Sequence, residues 1–170
     1  TTMKIWYTCK IKHNKELEDG MVKQVTDTFL LDAVSYTDAE SRVYEICERD
    51  IHGEFTVTQI TKTNIAEVIN HEDSEKWFKS KVVYATVDGD SDKEVKINTY
   101  ILVSASNAKQ AYERIEEHLN SMLVPYDIPS ITLTNILEVY PYDPEGQIPS
   151  NLKPLNEVMG GNDEDSDEDE

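Results

Sequence analysis

The chain is short of most residues that mark specialised protein classes. Its two cysteines, Cys9 and Cys47, share no CxxC spacing and sit within apolar patterns. That argues against a disulfide framework or a thiolate metal site, and for buried thiols in a reducing cytoplasm. No apolar run approaches the ~18 residues of a membrane span, and no signal-peptide pattern is present. Thr1 and Thr2 precede Met3, which reads as the natural start. Basic residues are scarce, 16 against 34 acidic ones, for a net charge of −18 over 170 residues. Seven of the acidic residues lie in 160–170, where there is no base; setting them aside still leaves −11. Such a surface keeps a chain soluble and opposes indiscriminate attraction to phosphate backbones or anionic membranes.

Recognisable catalytic motifs are also missing. There is no Gly-rich phosphate loop, GxSxG elbow or HExxH pair. His13, His52, His71 and His118 are scattered without ligand spacing and read as surface or boundary residues. Asp88, Asp90 and Asp92 open like a calcium loop, but Lys93 stands where such a loop needs glycine and Thr99 where it needs the bidentate glutamate. No carboxylate pair has the apolar setting that separates two pKa values for acid–base work. The expectation is a protein that is not an enzyme, with no catalytic residue, cofactor or metal.

What the chain does have is internal similarity. Trp6-Tyr7-Thr8-Cys9-Lys10-Ile11 lines up with Trp77-Phe78-Lys79-Ser80-Lys81-Val82, a shift of 71. The same shift brings Thr28-Phe29-Leu30-Leu31 onto Thr99-Tyr100-Ile101-Leu102, and Thr63-Asn64-Ile65-Ala66-Glu67-Val68 onto Thr134-Asn135-Ile136-Leu137-Glu138-Val139. Without a gap, 6–68 and 77–139 share 14 identities, where average residue usage gives roughly four. A tandem duplication follows: one repeat at 3–69, a linker at Asn70–Ser74, and a second repeat at 76–142.

Each repeat reads as strand, strand, helix, strand. Alternation puts Ile5, Tyr7, Cys9 and Ile11 on one side of a first strand at about 4–12. Polar turns at Asn14–Gly20 and Asp88–Asp92 lead into second strands. Thr37-Asp38-Ala39-Glu40 has the form of a capping box, followed by the stripe Ala39, Val43, Ile46, Cys47. Ala108, Ala111, Tyr112, Ile115, Leu119 and Met122 mark the second helix, which stops before Pro125. Ile60–Val68 and Ile131–Val139 read as closing strands. The expected fold is α+β: a six-stranded, mainly antiparallel sheet with both helices on one face. Residues 143–159 read as an irregular linker, and 160–170 as a disordered acidic tail.

One constellation points to binding. The face opposite Tyr7 and Ile11 carries Trp6, Thr8, Lys10 and Lys12 in the first repeat, and Trp77, Lys79 and Lys81 in the second. Two helices cover only one side of a six-stranded sheet, so both tryptophans are expected on the open side beside paired lysines. Bases stack on such platforms at ~1–3 kcal/mol each while ammonium groups hold phosphates. Lys15, Lys23, Lys93 and Lys96 extend the track. The competing reading makes the tryptophans core anchors and the lysines a solvated edge. In the tail, Asp163, Glu164, Asp165, Asp167, Glu168, Asp169 and Glu170 either mimic a phosphate backbone that regulates this face and recruits replication proteins, or simply solubilise.

Trp6-Tyr7-x-Cys9-Lys10, Thr28-Phe29-Leu30-Leu31-Asp32-Ala33, Gly53-Glu54-Phe55 and Trp77-Phe78-Lys79 together resemble a domain-of-unknown-function family found in Bacteroidetes and their crAss-like tailed phages. The resemblance spans roughly residues 3–143. It implies a cytoplasmic, phage- or mobile-element-associated protein and supplies no activity. The functional expectation is a non-enzymatic single-stranded DNA (or RNA) binding protein of phage replication or recombination. The alternative is a protein-interaction module, or an acidic nucleic-acid mimic that inhibits a host enzyme.

Overall fold

A computed structural model describes residues 4–87, 89–90 and 92–142; the linker expected at 143–159 and the acidic tail at 160–170 lie outside the described residues. Ten elements follow in order: β1 (Ile5–Glu16), β2 (Val22–Ala33), α1 (Tyr36–Asp50), β3 (Phe55–Lys62), β4 (Ile65–Ile69), β5 (Lys76–Val87), β6 (Glu94–Ala105), α2 (Ala108–His118), β7 (Tyr126–Leu133) and β8 (Ile136–Tyr140). All ten lie in one unit that ends at Tyr140. No helix among the described residues is long and apolar enough to cross a membrane.

Each half therefore reads β-β-α-β-β, one strand more than expected. The single closing strand is broken by a Thr-Asn corner. At the first corner the Thr63 backbone N–H and hydroxyl both donate to the Trp6 carbonyl oxygen, at 2.9 and 2.8 Å. The Ile65 N–H then donates to the Thr63 hydroxyl at 3.3 Å. Thr134, Trp77 and Ile136 repeat the arrangement with the same three distances. A backbone turned out of its ladder in this way keeps its polar groups paired.

The corners send the chain into another sheet. The single six-stranded sheet of the sequence reading is replaced by two four-stranded sheets, ordered β3-β1-β2-β8 and β4-β6-β5-β7. β8 lies parallel to β2, and β4 lies parallel to β6; the other pairings are antiparallel. The terminal strand of each half thus completes the sheet of the other.

Periodicity explains the cores. Tyr7, Cys9 and Ile11 alternate along β1 and pack with Phe29, Leu31, Ala39, Val43 and Cys47 between the first sheet and α1. Phe78, Val82, Ile101, Val103, Ala111 and Ile115 do the same between the second sheet and α2. The opposite sheet faces meet in a third core of Leu30, Ile65, Trp77, Leu102 and Ile136, flanked by Trp6, Val68 and Val139. Leu30 and Leu102 are fully buried there, each worth about 1.5–3 kcal/mol.

α1 begins two residues earlier than the box at Thr37 implies, whereas α2 begins at Ala108 as read. Ser35 Oγ accepts from the Asp38 N–H at 3.1 Å, and the Asp38 carboxylate accepts from the Val34 N–H at 3.0 Å. Asn107 and Gln110 form the equivalent reciprocal cap at 2.8 and 2.7 Å. Such caps contribute about 1 kcal/mol. Buried Arg42 on α1 donates to the carbonyl and carboxylate of Asp32, and to the Tyr140 carbonyl at the end of β8. Arg114 on α2 bonds the Ser104 carbonyl, Ser74 and Asp73 just beyond β4. Arg42 thus fastens an exchanged strand, and Arg114 the 70–74 segment that follows the other.

The two halves do not match at one constant shift. Five residues, 17–21, separate β1 from β2, whereas six, 88–93, separate β5 from β6. The offset is 71 for β1 and β5 but 72 for β2 and β6 and for the helix starts, returning to 71 at β3 and β7. Thr28–Leu31 therefore corresponds to Tyr100–Val103, not to Thr99–Leu102. Because side chains alternate along a strand, that single step moves each of them to the other face.

Candidate functional site

The tryptophans are not open platforms. Trp77 is 6% exposed, and Trp6 is half-buried against the same third core. The expectation of an uncovered face failed there because β4 and β8 bring a second sheet over it, and two indoles supply the area that holds the sheets together. The Trp77 ring is closed to a stacking base, and the Trp6 ring is partly covered by the same core.

The lysines fare differently. Lys10 and Lys12 are exposed on β1, on the face away from α1. Lys79 and Lys81 are half-buried on β5 and line a groove of about 250 Å³ with Tyr100, Ser130, Thr132 and Thr134. Strand register builds this groove in two rows. Thr132 on β7 faces Lys79 on β5, and Ser130 faces Lys81, with Tyr100 on the other side of Lys81 on β6. The Lys79 ammonium donates to Asn64 Oδ1 at 2.8 Å and lies 4.9 Å from the centre of the Tyr100 ring. Cations, an aromatic face and hydroxyl groups meet on one surface, which suits an anion with a planar group attached.

The corresponding face of the first sheet is plainer. Thr8 takes the place of Lys79 and Thr28 that of Tyr100, leaving Lys10 beside Gln59 and Thr61. Of the lysines expected to extend the track, Lys96 faces Ala85 and shares the groove's side of the second sheet. Lys15 and Lys23 pair on the α1 side of their hairpin, away from Lys10 and Lys12. Lys93 lies in the β5–β6 turn. The tail residues Asp163 to Glu170 lie outside the described residues.

Sequence reasoning missed Tyr100, Ser130, Thr132, Thr134 and Asn64. Tyr100 was obscured by the constant shift, which set it over the core residue Phe29. The polar alternation Ser130, Thr132, Thr134 was the available signal for the hydroxyl row.

Perturbed ionisable groups lie elsewhere. Burial, then the neighbouring Cys47 and opposed by Arg42, pushes the Cys9 thiol up to about 12; burial, then Asp50 and Glu48, takes Cys47 to about 11. A hydrogen bond from Arg49 holds Asp50 low, and one from Arg114 holds Asp73 low. Desolvation raises Tyr140, whose hydroxyl bonds Asp50 at 3.4 Å. Among the described residues, no group of three or more His, Cys, Asp or Glu is placed to hold a metal ion. A larger hollow of about 630 Å³ beside Trp77 and β8 has Glu72, Glu75 and Glu138 on its wall, so the cationic groove is local on an acidic molecule.

A family model described as "Domain of unknown function (DUF4494)" matches residues 5–142. The chain belongs to this family. The match begins at β1 and ends just past β8, so it takes in both sheets, both corners and the whole groove. No curated protein matches the chain.

Proposed function

We propose that the protein is a non-enzymatic binder of single-stranded nucleic acid, and that the second sheet carries the contact through Lys79, Lys81 and Tyr100. The observation that carries this reading is the groove itself: two lysines, an aromatic ring and the hydroxyls of Ser130 and Thr132 on one open face. Single strands are held by this pairing of stacking surface and phosphate-directed cations, whereas a duplex hides its base faces. Tyr100 takes the stacking role first expected of Trp6 and Trp77. Lys79 moves from the ring to a phosphate as a base arrives, and Lys10 and Lys12 hold the strand where it leaves the groove.

The acidic residues of 160–170 act as a competitor for the lysine face and as a contact for replication proteins. A cytoplasmic role in phage replication or recombination fits this chemistry by analogy, and so does an origin of the two halves in duplication of one unit. Titration of labelled single- and double-stranded oligonucleotides, with and without 160–170, tests the reading. Salt-sensitive binding of the single strand, stronger after the deletion, supports it. No binding by the shortened chain at low salt overturns it.

A second reading rests on a different observation. Met21, Val22 and Val87 at the hairpin ends are each about two-thirds exposed, at 66%, 65% and 66%, and the chain is strongly acidic. Both features suit a protein-interaction module, or a nucleic-acid mimic that binds a basic partner. Such a protein ignores oligonucleotides whether or not 160–170 are present.

A further inference from the structure

The place beside β2 is a strand-acceptor slot. Its occupant, β8, follows β7 after only the two-residue corner Thr134-Asn135, and residues 141–170 continue from its other end. The β8 ladder lies wholly with β2, from Thr28 opposite Ile136 to Leu31 opposite Tyr140. The Tyr140 ring meets Phe29 edge-on at 5.4 Å, and its carbonyl accepts from Arg42 at 3.5 Å. These partners lie about a hundred positions earlier in the chain, so the ladder can form with a strand of either copy; the Ile136 N–H also bonds the Thr134 hydroxyl at the corner. The molecule already makes this kind of exchange twice, since β4 fills the matching slot beside β6.

We propose that the slot also accepts β8 from a second copy of this chain, giving a closed two-fold dimer by reciprocal exchange of Ile136–Tyr140. Each slot is filled and each donor strand placed, so the assembly closes rather than growing into a filament. Opening costs the contacts of one five-residue strand, Ile136 and Val139 in the core between the sheets included, together with the Thr134 corner bonds; the dimer regains the strand contacts. Repulsion between two chains of net charge −18 opposes the encounter and weakens with added salt. Dimer formation therefore rises with ionic strength, whereas nucleic-acid binding falls.

The test uses the full chain. Wild-type protein in unlabelled and isotope-labelled forms is unfolded together, refolded at high concentration in raised salt, and weighed by native mass spectrometry. The expected result is a doubled mass that includes mixed-label pairs and survives dilution. In parallel, a form with Thr28→Cys is co-refolded with a form with Ile136→Cys, and oxidation is expected to link the two chains. A control pair, Thr28→Cys with Glu113→Cys on α2, is expected not to link. Monomer alone at every concentration overturns the proposal, and so does a dimer in which the two pairs link equally, since that dimer uses another surface.

Discussion

The hydroxyl of Thr134 donates to the carbonyl oxygen of Trp77 at 2.8 Å. That bond holds the end of β7 against the start of β5 while β8 departs for the other sheet, and Thr63 does the same for Trp6 at 2.8 Å. Thr134→Val keeps the shape but removes both the donor and the acceptor for the Ile136 N–H. It is expected to lower stability by about 1–3 kcal/mol, with Thr134→Ser recovering most of the loss. Urea unfolding followed by circular dichroism measures both; equal loss in the two variants contradicts the assigned bond.

The tryptophans belong to the sheet–sheet core, so their substitution should read as packing loss. Trp77→Ala is expected to cost about 3–5 kcal/mol, and half-buried Trp6 less. Trp77 emission should be shielded from acrylamide and little changed by an oligonucleotide. Strong quenching of Trp77 by bound DNA contradicts its position between the sheets.

Cutting the chain between Ile69 and Lys76 should not separate the pieces. The first piece supplies β4 to the second sheet, and the second supplies β8 to the first sheet. The nicked protein is expected to elute as one folded species whose unfolding midpoint becomes concentration-dependent. Separation into two folded fragments contradicts the exchange of strands.

Thiol ionisation sets the alkaline side of stability. An unfolded cysteine ionises near ~8.5, while folded Cys47 and Cys9 hold their protons to about 11 and about 12. Between these values the folded chain binds more protons than the unfolded one. The contribution is therefore complete below pH ~8.5 and declines as pH rises through the window. A thiol reagent at pH 8 is expected to find neither cysteine until urea is added; rapid modification of the native protein contradicts their burial.

Much of this architecture was legible in residue order. Alternation along β1 fixed which face of Tyr7, Cys9 and Ile11 meets α1, and the stripe Ala39, Val43, Ile46, Cys47 is buried as helical spacing requires. The exchange of β4 and β8 was not legible, because Ile60–Val68 and Ile131–Val139 alternate smoothly through the corners at Thr63 and Thr134. Alternation reports which side of a strand is apolar; it carries no information on which sheet the strand joins. That gap misplaced the tryptophans: with one sheet their face is open, and with two it is an interior. Tyr100 was lost to a single extra residue in the β5–β6 turn, too small a change for ungapped comparison to register.

The most direct test of nucleic-acid binding is fluorescence anisotropy of a labelled single-stranded oligonucleotide, titrated at low salt with the chain lacking 160–170. Saturable binding is expected, weakening as salt rises. Lys79→Ala with Lys81→Ala should flatten the salt dependence by ~0.7 in log–log slope for each phosphate contact removed, and Tyr100→Ala should cost about 1–3 kcal/mol. No change in anisotropy at low salt, or binding indifferent to all three substitutions in folded protein, would contradict the assignment of this face.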